Sequence, residues 1–238
     1  MGIVAEYCII RTEAVVSIPS EIDPAVSSPL LCAGVTVFNS MRQMKVMPGE
    51  VVAVQGLGGL GHLAVQYANK MGFKVVALSS SGAKEKFAKD LGAHVYVDGS
   101  KENHAEALKK LGGAGMIVST APNPEIMGDL VNGLGAMGKL ILLARKFNLS
   151  TYVVYGMLIK SALAIGEIKI NTLPLITKGS SVHGWPSGQA LDCEEAIDFA
   201  QLHNVNCVVE KFPLAKANEA YEHMMSGKAR FRCVLTMT

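Results

Sequence analysis

The chain has 238 residues, of which 50% are hydrophobic and 18% charged, so it can bury a sizeable core in one large domain or two small ones. Its formal net charge of +2 excludes a strongly basic nucleic-acid-binding or membrane-surface protein, and five cysteines without a CxxC spacing argue against a disulfide scaffold or a cysteine-rich zinc lobe. The sequence shows no secretory signal and no apolar run of membrane-spanning length. These features predict a cytoplasmic protein with no membrane or nucleic-acid partner.

Apolar strands alternate with amphipathic helices from about residue 50 onward. The predicted strands cover residues 50–55, 73–78, 94–97, 116–119 and 139–143. The predicted helices between them cover residues 59–71, 83–91, 102–111 and 124–134. Continuously apolar strands that alternate with helices indicate a parallel sheet covered on both faces. The pattern therefore predicts an α/β fold, a doubly wound Rossmann sheet of about six strands, with its sixth strand near residues 181–183.

Two flanking pieces lie outside this alternation. The first is predicted to contain a strand over residues 6–10 and a helix over residues 33–41. The second is predicted to run strand, helix, strand over residues 207–210, 214–225 and 231–236.

A glycine-rich motif, Gly56-Leu-Gly58-Gly59-Leu60-Gly61, stands between the first predicted strand and the helix after it. A GxGxxG pattern is weak evidence alone, but this context is the one that a dinucleotide site requires. Gly56 allows the tight turn, Gly58 lets the backbone approach a pyrophosphate, and Gly61 lets the helix pack closely on the strand. The motif predicts dinucleotide binding.

The second predicted strand ends in hydroxyl residues and a lysine instead of a carboxylate, namely Ser79, Ser80, Ser81 and Lys84. A carboxylate at this point would bind a ribose 2′-hydroxyl and repel a 2′-phosphate, whereas hydroxyls and a lysine can donate to a phosphate. The sequence therefore favours NADP, with NAD as the alternative cofactor. The other interpretation of this stretch is a solvated serine-rich loop with no part in binding.

The glycine motif and three further segments resemble the zinc-dependent alcohol dehydrogenases of the medium-chain dehydrogenase/reductase superfamily, especially their microbial and fungal members. The further segments are Pro-Leu-Leu-Cys-Ala-Gly-Val-Thr-Val-Phe at 29–38, Val-His-Gly-Trp-Pro-Ser-Gly at 182–188 and Met-Ser-Gly-Lys-Ala-Arg-Phe-Arg-Cys-Val-Leu at 225–235. The resemblance covers nearly the whole chain, and the segments together are far more specific than the glycines alone.

The resemblance implies roles for individual residues. Cys32 resembles the third protein ligand of the catalytic zinc, and Thr36 lies on the helix that faces the nicotinamide, which makes it the candidate catalytic residue. Ala121 and Leu143 end strands that line the cofactor cleft, and Arg232 resembles the tail arginine that meets the pyrophosphate. The residues that fall where NADP-preferring relatives hold the 2′-phosphate are Ser79, Ser81 and Lys84.

In this family a GroES-like catalytic domain precedes the cofactor domain and supplies most zinc ligands. We expect the chain to be N-terminally truncated, with residues 1–25 the end of that domain, 26–205 the Rossmann domain and 206–238 a C-terminal strand-helix-strand of the catalytic domain. A catalytic zinc needs three protein ligands, so Cys32 alone cannot hold the ion expected for the family. We expect Cys32 to be a small buried residue near a cleft, with its zinc position unoccupied, and the six histidines to be surface or packing residues.

Residues 145–164 have no counterpart in the family pattern. One interpretation is a family-specific lid or partner helix, because Val153, Val154, Met157, Leu158 and Ser161 form a weak helical stripe. The other is a translated intron, since the flanking residues can be encoded with splice signals.

The resemblance implies an oxidoreductase that moves a hydride between NAD(P)H and an alcohol/carbonyl pair. The alternatives are a cofactor-binding module without zinc catalysis and a zinc-independent NADPH reductase. The expected partner is a small-molecule alcohol or carbonyl substrate. The family's pairing across the outer sheet edge implies a homodimer or homotetramer.

Overall fold

The computed structural model describes Tyr7 and residues 9–144, 148–154, 157–163 and 167–237. Its main sheet has six parallel strands: β1 (Val51–Gln55), β2 (Lys74–Ser79), β3 (Val95–Asp98), β4 (Ala114–Ser119), β5 (Leu134–Leu142) and β8 (Ser181–Gly184). The strand order is β3-β2-β1-β4-β5-β8. This order reverses direction between β1 and β4, as in a doubly wound Rossmann sheet, so the predicted fold class is confirmed.

Helices cover both faces of this sheet. The helices of the described residues, including α1 and α9, which contact the C-terminal strands, are α1 (Pro24–Ser27), α2 (Ala33–Gln43), α3 (Gly61–Lys70), α4 (Glu85–Asp90), α5 (His104–Lys110), α6 (Pro124–Asp129), α7 (Leu173–Lys178), α8 (Ala190–His203) and α9 (Ala217–Met225). Short 3₁₀ turns at Thr12–Ala14, Ser28–Leu31, Gly82–Lys84, Leu130–Gly133 and Leu214–Lys216 complete the pattern. Within the described residues, no helix combines the length and the apolarity needed to cross a membrane.

Two hydrophobic clusters lie on opposite faces of the sheet because successive strand side chains point in opposite directions. Val52 and Val54 of β1 join the cluster formed with α2, α3 and α8, whereas Ala53 joins the cluster formed with α5. All three side chains are fully buried. Burial on both faces explains why the central strands read as continuously apolar segments.

The C-terminal segment forms a small sheet of its own. Strands β9 (Val209–Pro213) and β10 (Arg232–Thr236) pair in parallel, and α9 connects them. The predicted strand-helix-strand order is confirmed, although β9 begins two residues later than the predicted 207–210.

The segment at 145–164 contains an antiparallel hairpin in its described part. Strand β6 (Asn148–Val154) pairs with β7 (Met157–Leu163), and Val154 lies opposite Met157 in the register. The predicted helical stripe is therefore wrong. The residues of the stripe are mostly β-branched or aliphatic and fit a strand as well as a helix. Over so short a segment, periodicity alone does not distinguish a helix from a strand.

Two further predictions differ from the structure. The described residues of the predicted strand at 6–10, which are Tyr7, Ile9 and Ile10, form no strand and are exposed. A strand needs a hydrogen-bonded neighbour, and these described residues pair with no described strand. The helix predicted over residues 124–134 ends in the 3₁₀ turn at Leu130–Gly133, because Leu134 already pairs with Ala114 of β4.

Candidate functional site

A cavity of about 400 Å³ opens at the carboxyl ends of β1, β2 and β4. The sheet changes direction between β1 and β4, and ligands of open α/β sheets bind in the crevice at that point. The described residues that line it are Gln55, Gly56, Leu57, Gly58, Leu78, Ser79, Ser80, Lys84, His104, Thr120, Ala121, Pro122, Asn123 and Ile126.

The glycine loop forms one wall of this cavity, and its glycines differ in what surrounds them. Gly56 has φ +90°, and a Cβ there would lie 2.7 Å from the Ala121 Cβ. A Cβ on Gly61 would lie 1.8 Å from the Gly56 carbonyl oxygen, so α3 reaches β1 only because this residue has no side chain. A Cβ on Gly58 would meet no atom within 4 Å. The loop is therefore closed at Gly56 and Gly61 and open at Gly58.

The floor between β1 and β4 is fixed by Gln55, which the sequence analysis did not identify. Its side-chain carbonyl accepts hydrogen bonds from the Ser119 hydroxyl at 2.9 Å and from the Ala121 N–H at 3.3 Å. The Thr120 hydroxyl donates to the Gln55 main-chain carbonyl at 2.9 Å. Gln55 and Ser119 are buried, so these bonds hold the two strand ends at a fixed separation.

His62 connects the glycine loop to the C-terminal tail. Its ring is fully buried, with Nδ1 2.9 Å from the Gly58 carbonyl oxygen, and Nε2 3.2 Å from the Val208 amide nitrogen that donates to it. These partners require Nδ1 to carry the proton and donate it to Gly58. Burial lowers the pKa of His62 to about 4, so the ring is neutral. The prediction that it is a packing residue is confirmed.

Arg232 lies directly beside the glycine loop. Its Nε would be 2.7 Å from a Cβ on Gly59, and this buried N–H has no hydrogen-bond partner in the described part of the chain. A buried cationic donor without a partner is costly unless an anion completes it. Its position beside Gly58 and Gly59 suits a phosphate group.

The end of β2 brings some of the predicted 2′-phosphate residues to the cavity. Ser79, Ser80 and Lys84 line it, whereas Ser81 does not and instead offers its carbonyl to the Tyr96 hydroxyl. The Lys84 ammonium donates to the Leu57 carbonyl at 2.8 Å. The described lining contains no carboxylate that would repel a 2′-phosphate.

His104, another lining residue that the sequence analysis missed as a site residue, supports this edge. Its Nε2 lies 3.1 Å from the Ser79 carbonyl oxygen, and its ring is buried. Its position at the start of α5 gave no signal in the sequence.

The residues expected near the nicotinamide lie apart from this cavity, with the exception of Ala121. Thr36 is half-buried on α2; its hydroxyl donates to the Cys32 carbonyl at 2.6 Å, and its Oγ1 is 2.9 Å from the Ser187 Oγ. The Leu143 N–H donates to the Ser119 carbonyl at 3.0 Å. Cys32, Thr36 and Leu143 do not line the 400 Å³ cavity.

The loop after β8 is held against α2 by polar contacts. The Ser187 carbonyl accepts hydrogen bonds from Trp185 Nε1 at 2.8 Å and Asn39 Nδ2 at 3.2 Å. Ser187 has φ +93°, a backbone conformation that residues other than glycine rarely adopt. This loop places the Ser187 hydroxyl beside Thr36. The segment at 182–188 carried part of the family resemblance, but no role was predicted for Ser187.

A catalytic zinc site is not assembled by the described residues. They contain no group of three or more His, Cys, Asp or Glu side chains placed to hold a metal ion. Cys32 is exposed at the start of α2, so the prediction that it is a buried residue is wrong. It offers one thiol where three protein ligands are needed. The residues present therefore do not fit a zinc ion by themselves.

Comparisons with known proteins agree with this geometry. Residues 59–201 match the family model described as zinc-binding dehydrogenase. The chain is 55% identical over 233 residues to alcohol dehydrogenase patD of Penicillium expansum. The matched region covers 98% of this chain and 63% of that protein.

Solved structures resemble the fold as well. A cinnamyl alcohol dehydrogenase of Sorghum bicolor matches with a TM-score of 0.76 at 28% identity, covering 95% of this chain and 59% of that one. CAD of Helicobacter pylori, solved in complex with NADP(H), matches with a TM-score of 0.70 at 27% identity, covering 93% and 58%. The chain thus spans less than two thirds of the length of each of these relatives.

Proposed function

Because this chain belongs to the zinc-binding dehydrogenase family, we propose that it binds a nicotinamide dinucleotide across the carboxyl ends of β1 and β4. We further propose that it acts as an alcohol dehydrogenase-like oxidoreductase, which moves a hydride between NAD(P)H and a small-molecule alcohol/carbonyl pair. One observation carries the proposal: the glycine loop leaves open space at Gly58, and beside the next residue, Gly59, lies the Arg232 Nε, which has no hydrogen-bond partner among the described residues.

The proposed site binds the pyrophosphate at the glycine loop. The backbone at Gly58 and Gly59 is free to approach phosphate oxygens, and the N-terminus of the ten-residue helix α3 favours negative charge. Arg232 supplies a charge-assisted donor from the tail. His62 donates its Nδ1–H to the Gly58 carbonyl oxygen and so keeps that oxygen occupied within the chain, leaving the loop's N–H groups to face the anion.

NADP is proposed over NAD as the preferred cofactor. Ser79, Ser80 and Lys84 surround the edge of the cavity at the end of β2, where this fold places the adenosine ribose. Hydroxyl and ammonium donors stabilise a 2′-phosphate, and the described lining has no carboxylate to bind a free 2′-hydroxyl. Ser81 was predicted to bind the 2′-phosphate with Ser79 and Lys84. Its proposed part is instead to fix the loop, because its main-chain carbonyl accepts a hydrogen bond from the Tyr96 hydroxyl.

Thr36 is proposed to face the nicotinamide. When bound, the nicotinamide supplies or accepts the hydride, and the chain's own residues orient it. Thr36 and Ser187 present neighbouring hydroxyls. Ala121 follows the end of β4 and Leu143 follows the end of β5, at the carboxyl edge of the sheet. Their contribution is orientation of the reacting partners, which lowers the entropic part of the barrier.

A homodimer or homotetramer is proposed from the edge of the main sheet. Strand β8 pairs with β5 on one side, and no other described strand pairs with its second side. Unpaired main-chain donors and acceptors at such an edge are a template for pairing with a second copy.

The single tryptophan offers a direct test of cofactor binding. Trp185 lies on the loop that contacts Thr36, so excitation of Trp185 should transfer energy to bound NADPH and produce nicotinamide emission. The matched control, Trp185→Phe, should bind NADPH without that emission. Absence of NADPH-dependent quenching of Trp185 in the wild-type chain would refute the proposed binding.

Metal analysis with an alcohol-oxidation assay tests the catalytic part. Turnover with one zinc per chain supports zinc-dependent catalysis, and turnover in metal-free protein supports a zinc-independent reductase. Cofactor binding without turnover would limit the chain to a binding module and refute the proposed oxidoreductase activity for it.

A further inference from the structure

The C-terminal tail places a second unneutralised cation near the ribose edge of the cavity. The Phe231 ring packs on His62 and Phe87, with centroids 4.9 and 5.1 Å away. The Lys84 Nζ lies 5.6 Å from the Phe231 centroid, and the Arg230 Cζ lies 6.0 Å from it. Both distances are within the range of a cation–π contact. Two cations from distant parts of the chain therefore share one aromatic ring.

Neither cation is neutralised by a carboxylate among the described residues. In the ranges that the structure describes, no carboxylate forms an ion pair with Lys84 or with the Arg230 guanidinium. The nearby Glu210 carboxylate accepts the Arg230 main-chain N–H at 2.5 Å and pairs with His223 at 2.7 Å. Burial first, and then the charge of Arg230, lower the pKa of Lys84. Both cations lie within 6.0 Å of the same ring centroid, and an anion that contacts both would offset their mutual repulsion.

The chemistry of that anion follows from the place where Lys84 lies. Lys84 lines the dinucleotide cavity together with Ser79 and Ser80 at the end of β2. Arg232, on the other side of Phe231 in sequence, lies at the glycine loop where the pyrophosphate is proposed to bind. An anion near Lys84 would therefore lie at the β2 end of the cavity, away from the proposed pyrophosphate position and where this fold places the adenosine ribose.

We propose that Arg230 and Lys84 form a two-cation site for the 2′-phosphate of an NADP-type cofactor. The inference rests on the proposed function, since it requires a dinucleotide in the cavity. The tail then serves both anionic groups, with Arg230 at the 2′-phosphate and Arg232 at the pyrophosphate. Cofactor choice depends on the tail as well as on the serine-rich loop after β2.

The test compares calorimetric binding of adenosine 2′,5′-bisphosphate and adenosine 5′-monophosphate to the full chain. The variants are Arg230→Gln, the conservative Arg230→Lys and a matched control, Lys228→Gln. Lys228 is exposed on the same tail and forms no ion pair among the described residues. Thermal melting of each variant verifies that it is folded.

Arg230→Gln should weaken bisphosphate binding by about five- to tenfold, as expected for loss of one partly exposed phosphate contact. It should leave monophosphate binding within about twofold of wild type. Arg230→Lys should recover part of the loss, and Lys228→Gln should change neither ligand. Unchanged bisphosphate binding in Arg230→Gln, or an equal loss for both ligands, would overturn the site.

The same titrations separate this inference from the proposed function. Wild-type protein that binds neither nucleotide contradicts both. Wild-type protein that binds the monophosphate as tightly as the bisphosphate leaves the dinucleotide site standing but contradicts both the two-cation site and the proposed preference for NADP. A wild-type preference for the bisphosphate that Arg230→Gln retains in full contradicts the two-cation site alone.

Discussion

Two alanine substitutions in the glycine loop should have opposite consequences for stability and for binding. A Cβ on Gly61 would lie 1.8 Å from the Gly56 carbonyl oxygen, against a normal C···O contact of about 3.3 Å. Helix α3 would have to retreat from β1 by about 1.5 Å, and such overpacking costs about 2 kcal/mol. A Cβ on Gly58 meets no atom within 4 Å, so Gly58→Ala should change the free energy of unfolding by less than about 0.5 kcal/mol.

Thermal melting and NADPH titration distinguish the two positions. Gly61→Ala should lower Tm by about 4–8 °C for a chain of this size. Gly58→Ala should melt like wild type but bind NADPH at least about tenfold more weakly, because its methyl group fills the space where a phosphate would approach the backbone. Wild-type melting of Gly61→Ala would refute the close strand-helix contact. Wild-type NADPH affinity in Gly58→Ala would refute the phosphate-binding role of the open position.

Three further predictions concern other parts of the chain. His62 has a pKa of about 4 in the folded protein and about 6.5 in the unfolded chain. The neutral buried ring therefore contributes about 3 kcal/mol to the free energy of unfolding above about pH 6.5, and this contribution is lost as the pH falls towards 4. The urea midpoints of wild type and His62→Gln should converge between pH 6.5 and 4, and midpoints that change in parallel would contradict the lowered pKa. Lys84→Ala should weaken NADPH more than NADH in fluorescence titrations, whereas an equal loss would exclude a 2′-phosphate role. If residues 145–164 are a translated intron, sequenced transcripts should include a form without their codons and genomic DNA should carry splice signals at both ends; their absence would reject the hypothesis.

Local patterns identified most of the fold because the central strands are short, apolar and bounded by glycines. Strand β1 and helices α2 and α3 agree with their predicted positions to within two residues at every end. Helix α8 was missed, although Cys193, Ala196, Ile197 and Ala200 bury one face at helical spacing. Small side chains at three of these four positions gave that face little hydrophobic contrast with the rest of the helix.

The candidate site was predictable where its residues are neighbours in sequence. The glycine loop and the serine-rich loop after β2 are each a short sequence motif that directly follows a predicted strand. Both loops contribute residues to the same cavity. The contacts of Phe231, Arg230 and Arg232 with these loops depend on long-range packing of the tail, with His62 holding Val208 across 146 residues. The resemblance indicated a role for Arg232, but no local pattern indicated one for Arg230.

A crystal structure of the chain with NADPH tests the central claim most directly. We expect one cofactor per chain across the ends of β1 and β4, with its pyrophosphate against Gly58 and in contact with Arg232. Its 2′-phosphate should lie within hydrogen-bonding distance of Lys84. Density for the cofactor at any other place, or a chain that crystallises without it at saturating NADPH, would contradict the account.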